Sequence, residues 1–172
     1  RLTVLEYRVE RTEPIFEGFI LRLERRHITA GGKTFDREIV VHPGAVSAVA
    51  IDDLGRVVLI EQYRASVGRR LLETPAGTCD VQGEALDLTA ARELEEETGL
   101  HLEAGGLAYL GEQPRPDGPG VVHFFQAPTL AQQTAPQQPG EPAWRWGAWS
   151  ELFGERCPFA ATYRVALGHP GL

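Results

Sequence analysis

Two cysteines, Cys79 and Cys157, are all that the 172 residues contain, too few for the disulfide framework that staples small secreted domains. Both read as small reduced thiols of a cytoplasmic protein. No apolar run approaches the roughly 20 residues that span a bilayer, and the N-terminus lacks the apolar core of a secretory signal. Basic charge is short as well. Seventeen Lys and Arg stand against 24 Asp and Glu, for a net charge of −7, whereas a nucleic-acid or membrane-surface binder presents a basic footprint. Neither partner is expected. An acidic chain still holds a polyanion where metal ions and a few arginines reverse the sign locally. The sequence begins at Arg1 rather than Met, so native residues are expected ahead of it.

What is present is an ordinary globular composition, 42% hydrophobic and 24% charged, long enough for one domain with a substantial core. Residues 1–41 read as strands. Leu5, Tyr7 and Val9 alternate with polar residues, as do Phe19, Leu21 and Leu23, and Phe35 to Val41 is β-rich. Gly31-Gly32-Lys33 marks the turn between the last two. These make a small antiparallel extension ahead of a main domain over 42–172. Within that domain Ala45 to Ile51 and Val57 to Ile60 look like central strands, joined by a turn over Asp52-Asp53-Leu54-Gly55-Arg56. Gly106 to Glu112, Val121 to Ala127 and Trp144 to Trp149 are further strands, with Trp144, Trp146 and Trp149 alternating on one face as core residues. Pro114 to Gly120 and Pro128 to Pro142 read as loops, and Phe159 to Leu167 as a short amphipathic helix.

The most informative stretch runs from Gly77 to Leu100. From about Glu84 to Glu97 it is dense in strong helix formers without internal Gly or Pro. Gly83 opens it, and Gly99 sits where a C-cap glycine belongs. Leu86, Ala90 and Leu94 form the buried stripe. Glu93 and Glu97, four apart, project from one face with Glu96 beside them. Like charges so placed repel unless a cation sits among them. Gathered carboxylates suit a hard divalent ion, and Mg²⁺ is commonly bound by one or two carboxylates plus substrate phosphates. Charge runs are often nothing more than solvated helix faces. Here the coincidence of Arg92, Glu93, Glu96, Glu97 and Gly99 at fixed spacing has a chance probability on the order of one in a million at average residue frequencies.

Glu84, then seven residues, then Arg92-Glu93-Leu94-Glu95-Glu96-Glu97-Thr98-Gly99-Leu100 resembles the box of the Nudix hydrolases, which cleave nucleoside diphosphates linked to another group. Everything from Glu84 onward fits that pattern. The opening glycine, Gly77, lies one residue early. Further resemblance to the ADP-ribose pyrophosphatase branch is carried by His42-Pro43-Gly44-Ala45-Val46, Gln62-Tyr63-Arg64 and Leu72-Glu73-Thr74-Pro75-Ala76-Gly77.

The resemblance implies an α/β/α sandwich with a mixed central sheet, and an N-terminal β extension that helps form a homodimer. It implies Mg²⁺, with Mn²⁺ as a substitute, held by Glu93, Glu97 and the Ala76 carbonyl, and by Glu84 through water or from farther out. Arg92 is expected to pair with Glu96 and fix the helix carboxylates. Arg64 and Arg37 are the implied contacts to the pyrophosphate or nucleoside end, since the arginine fork donates bidentately to phosphate. Pro116 falls where the branch carries a marker proline, although the acidic pair that commonly follows it is missing. Glu141 is the implied general base, with Glu96 or Glu93 as rivals. Tyr63, Phe16 and the tryptophans are candidates to stack on adenine. The reaction implied is hydrolysis of a nucleoside diphosphate sugar, ADP-ribose foremost, to AMP and ribose 5-phosphate. Alternatives are another nucleotide sugar, a dinucleoside polyphosphate or coenzyme A. A nucleotide-sensing module or a mere interaction domain are readings of other classes, and the retention of all four box acids speaks for catalysis.

Overall fold

The computed structural model describes residues 6–102, 105–114, 120–128, 143–153 and 157. It divides into two compact units, Arg1–Pro43 and Gly44–Leu172. Glu141, Pro116 and the expected helix from Phe159 lie outside the described residues.

The N-terminal unit is a three-stranded antiparallel sheet of β1 (Tyr7–Glu17), β2 (Arg22–Ala30) and β3 (Lys33–Val41). The β2–β3 hairpin turns at Gly31-Gly32, pairing Ala30 with Lys33, as the glycine pair implies. Charged side chains line up across one face, where His27 lies between Glu13 and Asp36 and Arg25 meets Glu38 at 3.1 Å. Tyr7, Val9, Ile15, Phe16 and Phe19 are exposed, Phe19 almost fully.

The second unit holds two sheets. One has the order β10 (Ala143–Gly147), β5 (Val57–Arg64), β6 (Arg69–Glu73), all antiparallel. The other has the order β7 (Ala76–Thr78), β4 (Ala45–Val49), β9 (Val121–Gln126), β8 (Ala108–Pro114) and is mixed, because β4 and β9 run parallel. β4 and β5 are central, as their continuous apolar runs require. Successive residues of a strand point to opposite faces, so each of these strands feeds two cores. Val46, Ala48 and Val58 join Ala90, Leu94 and Phe125 under the helix, while Val49, Val57 and Leu59 join Phe124, Leu152 and Cys157 on the other side. The α-helix α1 (Leu86–Thr98) contacts β4, β7 and β9. Asp52, buried, locks the β4–β5 turn by accepting from the Leu54 and Arg56 amides at 3.0 and 2.7 Å.

Three expectations shift. The helix begins at Leu86 rather than near Glu84, because the Glu84 carboxylate is taken up by Thr89 and Arg92 and the backbone at Ala85 is still extended. β5 runs on to Arg64, and Arg69 and Arg70, expected in a loop, open β6, while the Leu72–Gly77 motif is shared between β6 and β7 with Thr74-Pro75 between them. β10 ends at Gly147. Trp144 and Trp146 do share a face, with ring centroids 6.2 Å apart, but Trp149 opens a short 3-10 helix (Trp149–Phe153) and packs in the opposite core. Trp149 stands three residues past Trp146, out of phase with the two-residue period of a strand. Gly99 ends α1 as its position suggests: its φ of 69° is left-handed, and its amide donates to the Glu95 carbonyl at 2.7 Å.

Candidate active site

Helix α1 turns its apolar stripe, Ala90, Ala91 and Leu94, into the core, and the periodicity that does so puts Glu93 and Glu97 together over β7. Glu97 is anchored there. Its Oε2 accepts the Ala76 backbone amide at 3.0 Å. Glu93 lies over Gly77, where a Cβ would stand within 1.8 Å of its carboxyl carbon. Any larger residue at 77 would collide with that carboxylate, so the early glycine of the box is needed for close approach rather than for a special backbone angle.

Two carboxylates held this way resist ionisation. Burial, first, and then the charge of Glu93 push Glu97 up from 4.5 to about 7, against the opposing amide of Ala76 and the charge of Arg64. Burial also pushes Glu93 up, and Glu96 adds to it while Arg92 opposes. Glu84 moves the other way, held down first by Arg92 and then by the Thr89 hydroxyl at 2.8 Å.

Arg92 is the cation among these acids. Its Nη1 lies 2.8 Å from Glu93 and 3.3 Å from Glu96, and its Nη2 lies 3.2 Å from Glu84 and 3.9 Å from Asp80. The expected pairing with Glu96 is thus one of several, and the strongest hold is on Glu84, whose hydrogen bond pushes the guanidinium further up. Sequence spacing finds the Glu96 contact at i,i+4 but not the bond from Glu84, which spans the turn before the helix.

Arg64 adds a second cation. It leaves β5 and reaches back along its own face, laying Nε 3.1 Å from Oε1 of Glu73 and Nη2 on the other oxygen. Glu73 is 1% exposed, and both members of the pair act electrostatically on Glu97. Glu73 is the residue that sequence reading passed over. A single acid between the apolar pair Leu71-Leu72 and the Thr74-Pro75 break was the available signal.

Arg37 belongs to the N-terminal unit, where its guanidinium stands 4.6 Å over the Phe35 ring and donates to the Asp36 carbonyl at 2.8 Å. Of the candidate stacking residues, Tyr63 and Phe16 are exposed, whereas Trp144 and Trp146 pack against the core. A hollow of about 400 Å³ lined by Leu86, Asp87, Leu107, Tyr109 and Phe125 contains none of the acids above.

Among the described residues no three His, Cys, Asp or Glu side chains converge on a point, so they form no closed cage. Two half-buried carboxylates that resist ionisation, beside a backbone segment, are instead an open hard-oxygen site. Mg²⁺ fits such a set because it keeps water and takes oxygens from substrate phosphates. The Gly77 backbone walls the same spot, and the Cys79 thiol is near enough that the charge of Glu93 acts on it.

The chain is similar to several known proteins. The chain is 50% identical over 90 residues to an ADP-ribose pyrophosphatase of Mycobacterium tuberculosis, covering 52% of this chain and 44% of that protein. It is 42% identical over 101 residues to a methanol dehydrogenase activator of Bacillus methanolicus, covering 58% and 54%. An ADP-ribose pyrophosphatase of Bacillus subtilis is 42% identical over 96 residues, covering 55% and 51%. The chain spans about half the length of these curated relatives. In fold it is similar to a crystal structure of an ADP compounds hydrolase, with a TM-score of 0.72 at 19% identity over 94% of this chain and 91% of that one. The MutT protein of Methanosarcina mazei gives a TM-score of 0.55 at 18% identity, covering 72% and 88%. The NUDIX domain model matches residues 41–165, a range that includes α1 and the strands around it, and the chain belongs to the Nudix family.

Proposed function

We propose that this chain is a divalent-metal-dependent hydrolase of the pyrophosphate bond in a nucleoside diphosphate sugar, ADP-ribose foremost, giving AMP and ribose 5-phosphate. One observation carries the hydrolase reading: Glu93 and Glu97 are held side by side, half-buried, and both resist ionisation. Burying like charges is costly unless a cation or proton joins them. Similarity to two proteins named ADP-ribose pyrophosphatase supports that substrate over other nucleotide sugars, dinucleoside polyphosphates and coenzyme A.

In this reading Glu93, Glu97 and the Ala76 carbonyl hold Mg²⁺, with Glu84 contributing from farther out and Mn²⁺ as a substitute. When bound, the ion neutralises the pyrophosphate and acidifies a water. The protein's own groups do the rest. Arg92 keeps Glu84 and Glu93 from turning away from one another. Arg64 donates to a phosphate oxygen, and Arg37 and Pro116 belong to the substrate's surroundings. Glu141 takes the proton from the attacking water; Glu96 or Glu93, both paired with Arg92, is the alternative base. The N-terminal sheet is the proposed homodimer surface, supported by its exposed Tyr7, Val9, Phe16 and Phe19.

Initial rates on a panel of ADP-ribose, other nucleotide sugars, dinucleoside polyphosphates and coenzyme A with Mg²⁺ test the substrate. ADP-ribose is expected to be fastest, with turnover reduced by about a hundredfold or more in Glu97→Gln and the fold retained. Undiminished Mg²⁺-dependent hydrolysis in that variant refutes the ligand assignment.

Protonation competes with metal. Glu97 titrates near 7 in the fold and at 4.5 ordinarily, so the Mg²⁺ needed for half-maximal rate should rise by about tenfold from pH 8 to pH 6. The sign for stability follows. A raised carboxyl pKa gives stability that is fully present below 4.5 and lost as pH rises through about 7. Added Mg²⁺ should therefore raise the melting temperature more at pH 8 than at pH 6, and an equal shift at both would count against a buried acid at the metal site.

Gly77→Ala should displace the Glu93 carboxylate and weaken Mg²⁺ activation at least about tenfold while circular dichroism stays unchanged. Normal Mg²⁺ dependence in this variant would place Glu93 outside the metal site.

A further inference from the structure

Resting on the reading of Arg64 as a phosphate contact, we infer that Glu73 is a positioning residue that aims the Arg64 guanidinium at the substrate's pyrophosphate. The hairpin register makes this contact. Ile60 pairs with Glu73, Gln62 with Leu71 and Arg64 with Arg69, so residues 60, 62 and 64 share a face with their partners. The Arg64 side chain lies along that face, past Gln62, and engages both Glu73 oxygens through Nε and Nη2. A carboxylate 1% exposed tolerates no alternative to a charged partner, and the two-point contact fixes the plane of the fork.

The location makes this more than a structural ion pair. Three residues beyond Glu73, the Ala76 amide holds Glu97. The connecting segment is pinned to β4 twice, by the Thr74 and Ser47 hydroxyls at 2.6 Å and by the Ala48 amide on the Pro75 carbonyl at 2.8 Å. Arg64 is thus held rigidly beside a carboxylate proposed to carry the metal.

Two roles of Glu73 predict opposite signs. If it acted only through its charge, neutralising it would strengthen binding of an anionic substrate. If it positions Arg64, neutralising it weakens binding. Steady-state kinetics on ADP-ribose at saturating Mg²⁺, with wild type, Glu73→Gln, Arg64→Lys and the double variant, separate them. The Lys variant keeps a cation against Glu73 but loses the fork. Glu73→Gln should raise KM about tenfold with kcat within about threefold, and by less than about twofold in the Arg64→Lys background. An unchanged or lowered KM, or an equal loss in both backgrounds, overturns the inference. If Glu73→Gln does not fold, judged by thermal melting, Glu73→Asp keeps the charge, draws the fork back by one methylene and should move KM the same way. If the wild type does not cleave ADP-ribose, the substrate reading fails by itself, and calorimetric titration of the same proteins with ADP and Mg²⁺ gives the same comparison in Kd.

Discussion

Two carboxylates on one helix face, forced close together and partly out of water, set the terms for everything around them. Glu93 and Glu97 repel, and burial disfavours their charge. Left alone, such a pair would take up protons or turn out to solvent. The second escape is closed. Ala76 holds one by its backbone amide, and Arg92 and the bare backbone of Gly77 hold the other. The helix is in turn fixed by Ala90 and Leu94, both fully buried, and closed by Gly99. Hydrophobic burial thus maintains an arrangement that electrostatics disfavours, which is what the proposed cation would relieve.

The two arginines serve different ends of that arrangement. Arg92 touches four acids at once, so its removal would release several carboxylates together, and single contacts to it are not separable energies. Arg64 engages a partner that is almost wholly buried, Glu73. Exposed pairs such as Arg25 with Glu38 in the N-terminal sheet contribute little by comparison, since water screens them. Burial, more than the number of ion pairs, separates the site from the rest of an acidic surface.

Much of this was legible in the residues. The i,i+4 spacing of Glu93 and Glu97, the apolar stripe opposite them and the closing Gly99 are short-range signals, and a helix expresses them with little tertiary help. The central strands were legible for the same reason: Val57 to Ile60 is an unbroken apolar run, and Ala45 to Val49 is interrupted only by Ser47. What escaped was whatever depended on a partner distant in sequence. The short strands β6 and β7 acquire their identity from pairing with β5 and β4. Glu73 is unremarkable until the hairpin register places Arg64 within reach. Gly77, off by one in the motif, makes sense only once Glu93 is seen to lie over it. Trp149 shows the opposite error, a local pattern continued past the Gly147 that ends the strand.

The direct test of the central claim is where a divalent ion settles. Crystals soaked in Mn²⁺ and measured at the manganese absorption edge should show an anomalous peak at the Glu93 and Glu97 carboxylates and the Ala76 carbonyl. A map without a peak there, with those carboxylates still contacting only Arg92 and the Ala76 amide, would contradict the proposal that burial has prepared them for metal.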